Sequence, residues 1–336
     1  MRFRNSLRLL MENFKHVYKI LLYQLVVSLI ATALCCAFVL PELMDIWHSE
    51  AVQGLIRNSK AFIKAFLAAS ATDLQALKGS IFGEGGSVEQ IGALLSSMAT
   101  EITWTCIGVA LVYLVKRFVE TLCYFAVGST LNDKMSTYAE TPFSSAYVAN
   151  LGKASVYAAV YVPVVFLFDA LTIAVCCLIL SVLPIFTALF VCMTLIVVCQ
   201  SLKLTFTNLW MPAMTVDNKR FLEAVRYANK REKKQRLKIF STYLVTVYIV
   251  IIFNVMAALF TFGSALLITV PASYFLYICE QYVNYYTMKG KKYFLTYEKI
   301  ATNPDHGDSE HFFDYIEDSP EPQTKEREND SKNLEE

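Results

Sequence analysis

The chain has 336 residues, 55% of them hydrophobic and only 18% charged, and its mean hydropathy is +0.43. Soluble domains carry about 45–50% apolar and about 25% charged residues, and here the apolar excess is gathered into runs long enough to cross a bilayer. A soluble globular protein, a disordered chain and a disulfide scaffold are therefore excluded. The net charge of +1 says little, because it averages a basic middle and an acidic end.

The first apolar run, residues 20–40, has the length of about 20 residues that hydrocarbon demands of a helix. Ala31-Thr32-Ala33 imitates a signal-peptide cleavage site, but the polar lead-in is long and the run continues past that site to Leu40. It reads as a signal-anchor span. Leu34 precedes Cys35 where a lipoprotein would need a small residue. Further spans are expected near 102–128, interrupted by Lys116, Arg117 and Glu120, and then at 155–180, 184–204, 239–262 and 264–288. Pro184 starts one helix after a tight turn, and Gly263 marks another. The fold class expected is all-α: a polytopic membrane protein of six helices in three hairpins.

Each hairpin is preceded by a short amphipathic stretch. The first, 5–15, places Leu7, Leu10, Met11 and Phe14 at helical spacing; the second, 141–153, opens at Thr141-Pro142; the third lies within 216–238, with Phe221, Leu222, Val225 and Ala228 on one face. Such helices lie in the interface with basic residues toward headgroups. Glu120, Gln200 and Glu280 recur at matching places in the second helix of each hairpin, which reads as an internal threefold repeat; chance likeness among apolar helices is the alternative.

The chain thus divides into an amphipathic helix with the first span (1–40), an outer helical loop (41–101), the remaining bundle (102–302) with its two amphipathic or basic segments, and an acidic tail (303–336). In the outer loop, Gly83-Glu84-Gly85-Gly86 breaks the chain and Ser87 with Gln90 forms a capping box. From it a helix is expected to run unbroken into the second span. The tail, with twelve acids against three bases, is expected to be disordered. Lys and Arg set the orientation. With both termini cytoplasmic, the outer loop holds only Arg57, Lys60, Lys64 and Lys78, while the segments on the other side hold most of the rest. All nine cysteines fall in expected spans and none forms a CxxC pair, as packing residues would.

One stretch, Ser6-Leu-Arg-Leu-Leu-Met-Glu-Asn-Phe-Lys-His-Val-Tyr-Lys-Ile-Leu-Leu22, with a later Phe221-Leu-Glu-Ala-Val-Arg226 leading into another span, resembles the membrane domain of glycerophosphodiester phosphodiesterases. It is similar also to related uncharacterised six-span bacterial membrane proteins. The resemblance covers the six spans and not the tail. It implies the architecture and a bacterial cytoplasmic membrane; it implies no catalytic activity, because no phosphodiesterase domain accompanies the spans.

Soluble-enzyme signatures are missing. Gly152-Lys153 is followed by Ala154 and so is no phosphate loop; there is no HExxH and no GxSxG. The four histidines are scattered, so no metal site, catalytic residue or cofactor is expected. What remains is the polar residues inside the spans, which usually face a bundle interior, pair, or mark a functional site. Lys116, Arg117, Glu120, Asp169, Gln200, Asn254 and Glu280 form that candidate set. Lys116 and Glu120, one turn apart, would neutralise each other; Asp169 has no local partner, and Arg117 is the expected one. Such a set is either interhelical glue or the lining of a polar cavity. Lys203 is expected to snorkel to the interface. Lys230, Arg231, Lys233, Lys234 and Arg236 are expected to contact anionic lipid headgroups rather than nucleic acid. The outer loop and acidic tail are candidate surfaces for a protein partner. The leading expectation is a non-enzymatic scaffold or accessory protein in envelope or lipid processes, with a transporter or lipid-handling protein as the alternative.

Overall fold

A computed structural model describes residues 2–67, 87–230, 233–296, 299–303 and 308–311. Six of its helices are long and apolar enough to cross a membrane, and the chain is an all-α polytopic membrane protein. The element order begins with α1 (Arg2–Glu12), α2 (Lys15–His48), α3 (Glu50–Leu67), α4 (Ser87–Ser97), α5 (Ala99–Thr137) and α6 (Phe143–Val182). It continues with α7 (Ile185–Thr207), α8 (Trp210–Thr215), α9 (Phe221–Asn229), α10 (Lys233–Thr261) and α11 (Leu266–Lys289). Three short strands follow, β1 (Tyr293–Thr296), β2 (Lys299–Asn303) and β3 (Asp308–His311), as an antiparallel sheet in that order.

Local chemistry explains the boundaries. Asn13 ends α1 by donating its side-chain amide to the Leu9 carbonyl at 2.9 Å, and α2 begins two residues later. Leu183 is extended, as a residue before proline must be, and Pro184 caps α7. The turn between α10 and α11 uses positive φ at Phe262 and Gly263. Gly290 closes α11 at φ 62, its N–H reaching the last turn of carbonyls, the left-handed cap that glycine tolerates best.

The described residues fall into two compact units, Met1–Gln24 with Phe118–Glu336, and Leu25–Arg117. In the larger unit the core gathers at one end of the spans, called here the base. There Leu9, Val17 and Ile20 meet Phe125, Leu131 and Met135 of α5, Tyr157 of α6, Trp210 and Met211 of α8, Phe221 of α9, and Phe275, Tyr282 and Tyr285 of α11. Tyr293 of β1 completes this packing. A smaller cluster joins Leu204 of α7 to Ile239, Tyr243 and Val247 of α10. Away from the base the spans expose large apolar side chains, among them Phe190, Leu259 and Phe260. In water that surface would cost about 25 cal/mol per Å²; against lipid tails it costs nothing. In the smaller unit α3 packs on α4, and a Cβ at Gly108 of α5 would lie 3.1 Å from the Phe38 ring of α2.

The structure departs from expectation in four places. The helix α2 passes through Pro41 to His48, so Pro41 does not end the first span. The second amphipathic stretch is not a separate helix; α6 runs unbroken from Phe143 to Val182. The helix expected to lead unbroken into the second span is interrupted by a turn at Met98. Part of the expected disordered tail, Asp308–His311, pairs as a strand with Lys299–Asn303; residues 304–307 and 312–336 lie outside the described residues, as does the glycine-rich break at 83–86.

Candidate functional site

Two of the polar sets in the spans bridge helices that follow one another in the chain. Between α6 and α7, the Asp169 carboxylate receives the Lys203 ammonium at 2.7 Å and the Gln200 amide at 2.9 Å. The partner of Asp169 is therefore Lys203 rather than the expected Arg117, and Lys203 turns inward instead of snorkelling, its side chain 11% exposed. Arg117 donates its Nε to the Tyr113 hydroxyl one turn away, at 3.0 Å. Four residues separate the two, the spacing at which helical side chains meet.

Between α10 and α11, the Asn254 amide donates to Ser273 Oγ at 3.0 Å, and the Thr269 hydroxyl donates to Asn254 Oδ1 at 2.7 Å. Nearer the base, Thr246 donates to Glu280 Oε1 at 3.2 Å. Glu280 is fully buried, and its other carboxylate oxygen has no hydrogen-bond partner. Gln281 Oε1 and both side-chain polar atoms of Asn284 share that condition. Glu120 is buried on α5.

Sequence reasoning missed the polar layer of the base, which tyrosines build. Tyr282 shares a 2.7 Å hydrogen bond with Thr215, Tyr286 donates to Asn132 at 2.9 Å, and Tyr293 accepts from Asn5 at 3.0 Å. Tyr243 donates to Asn208. Tyr285 donates at 2.6 Å to Asp217, which also binds Lys289 at 3.0 Å and Lys291 at 2.9 Å. Burial alone would raise the Asp217 carboxyl, but the hydrogen bonds from Tyr285, Lys291 and Lys289 outweigh it and hold the group well below the ordinary carboxylate range. The available signal was the crowding of Tyr282, Tyr285 and Tyr286 on two adjoining turns of α11.

Of the basic segment, Lys230 caps α9, and Lys233, Lys234 and Arg236 lie exposed on the first turn of α10. Arg236 donates to the Asn229 carbonyl. Arg231 lies outside the described residues. Among the described residues no three His, Cys, Asp or Glu side chains converge to hold a metal. Comparison with protein-family models, with curated proteins and with solved structures gives no match. The reading of the site rests on its own geometry.

Proposed function

We propose that the chain is a non-enzymatic scaffold or accessory protein of a bacterial cytoplasmic membrane, acting in envelope or lipid processes. In this reading both termini face the cytoplasm, so the base lies at the inner interface. The basic run from Lys230 to Arg236 contacts anionic headgroups there, and the outer loop or acidic tail offers a surface to a protein partner. The observation that carries the reading is how the intramembrane polar groups are used. Asp169 is neutralised by Lys203 and Gln200 across α6 and α7, and Asn254 is satisfied by Ser273 and Thr269 across α10 and α11. Polar groups that close on a neighbouring helix hold a bundle together. They are then unavailable to a passing solute.

One observation favours a second reading, a transporter or lipid-handling protein. Glu280, Gln281 and Asn284 leave four buried polar atoms without partners on a single turn of α11. Ionisable residues in such places serve ion or proton pathways in other membrane proteins.

Asp169→Asn tests the first reading and Glu280→Gln the second. A scaffold whose polar groups are glue loses thermal stability in Asp169→Asn while keeping, in native mass spectra, the lipids and partner subunits of the wild type. Loss of a measured flux or of one retained lipid class in Glu280→Gln, with stability intact, would instead establish the cavity reading.

A further inference from the structure

A concavity bounded by charged groups shares no lining residue with the polar sets described above. It has a volume of about 240 Å³ and is walled by the start of α2, the end of α5 and the segment that leads into α6. Lys15, His16 and Lys19 contribute from α2, Thr130 and Lys134 from α5, and Glu140 and Thr141 from the connection. That space is many times what one water needs.

The charges on its walls do not balance. Lys15 is paired with Glu140 at 2.6 Å, on the exposed rim. Lys134 is nine-tenths buried, yet its ammonium has no carboxylate within ion-pair distance among the described residues; it sits 5.0 Å over the Tyr138 ring. Lys19 likewise meets an aromatic face, Phe143 at 5.8 Å, instead of an anion. His16 is 4% exposed, and its Nδ1 is buried without a partner. A buried ammonium is costly unless something neutralises it, and cation–π contact returns only about 0.5–2 kcal/mol. The backbone is held around this arrangement by Tyr138, which adopts φ 57 and donates its hydroxyl to Glu12 at 3.2 Å.

We infer that this cavity binds a single phosphoryl anion, with Lys134 as the buried anchor and Lys19 at the mouth. A phosphate accepts several charge-assisted hydrogen bonds at once, which suits two or three convergent ammonium groups. The anion is the phosphate of a membrane lipid headgroup or a free phosphate compound. The position of the cavity favours the lipid, given the reading of α2 as a membrane span, because its long apolar stretch begins at Ile20, directly after Lys19. The site is built of other elements than the basic run at 230–236, and it does not depend on whether the protein is a scaffold.

The experiment is native mass spectrometry of the full chain in detergent, titrated separately with phosphatidylglycerol, phosphatidylcholine and inorganic phosphate. One phosphatidylglycerol should bind with a saturable affinity. Lys134→Met should weaken it about tenfold or more and Lys19→Met several-fold, as expected for the loss of charge-assisted contacts. Lys134→Arg should retain most of the binding, and Lys64→Met, at an exposed position on α3, all of it. Saturable binding of inorganic phosphate with the same variant pattern also supports the site and assigns it to a soluble phosphate compound. Equal binding by wild type, Lys134→Met and Lys19→Met overturns the proposal. Lys19 is only half-buried, so its variant decides the matter should Lys134→Met fail to fold.

Discussion

Asp217 illustrates how much of the base depends on single side chains. It lies between α8 and α9, and it ties the last turn of α11 and the residue beyond its glycine cap to that connection through Tyr285, Lys289 and Lys291. Its folded pKa lies below the ordinary value of about 3.9. A carboxylate depressed in this way stabilises the fold fully above that ordinary value, and its contribution is lost as the pH falls toward the folded pKa. Melting temperature in detergent should therefore drop between pH 5 and pH 3. Asp217→Asn should cost about 1–3 kcal/mol at neutral pH and flatten that acid-dependent drop; an equally steep drop in the variant would show that other carboxyls cause it. Gly128 is a second such position, for steric reasons. A Cβ there would sit 2.8 Å from the Tyr282 hydroxyl and 3.0 Å from the Met211 methyl. The methionine can give way, but Tyr282 is fully buried and held by Thr215. Gly128→Ala should destabilise by about 1–3 kcal/mol, as overpacking does, and a melt no lower than the wild type's would show that the tyrosine moves freely.

At the scale of elements, the helices are joined in hairpins by polar contacts as well as by packing. The α6–α7 hairpin holds Lys203 against Asp169, and removing one partner of a buried pair leaves the other charge uncompensated. Asp169→Asn should cost about 3 kcal/mol by that argument, and Lys203→Met in the same chain should recover part of it, because two neutral groups no longer oppose burial. A double variant no more stable than Asp169→Asn alone would count against the pair as glue. The elements themselves were largely legible in the sequence, since a run of twenty apolar residues permits little else in hydrocarbon. The pairing was not. Lys203 closes its own apolar run, and a lysine in that place reads as one reaching outward; only the neighbouring helix shows that it turns toward Asp169. The helix of the first span also runs past residue 40, through Pro41. A proline in a span loses one backbone hydrogen bond, and in a membrane helix that loss is tolerated more often than in water. The strand β3 could not be read from Asp308-Ser309-Glu310-His311, which has neither β-branched residues nor apolar alternation.

Across the whole molecule, the polar network of the base was the hardest part to foresee. Asn5 and Tyr293 meet across almost the entire chain, and neither residue type announces such a partner. The arrangement of charge about the membrane is a proposal that rests on where Lys and Arg fall in the sequence. Six spans return the chain to the side on which it began, so the N-terminal segment, the basic run at 230–236 and the C-terminal segment share one side. The segment between the first two spans takes the other. Moving the many lysines and arginines of the first group across a bilayer is disfavoured against moving the four in the second. Lys64 on α3 and Lys234 on α10 are both exposed and test this directly. With the native cysteines replaced by alanine, Lys64→Cys should react with a membrane-impermeant maleimide on intact cells. Lys234→Cys should react only after the cells are permeabilised. The opposite pattern would reverse the orientation and place the base, with its phosphoryl site, at the outer leaflet; labelling of both on intact cells would mean an odd number of spans does not separate them as six requires.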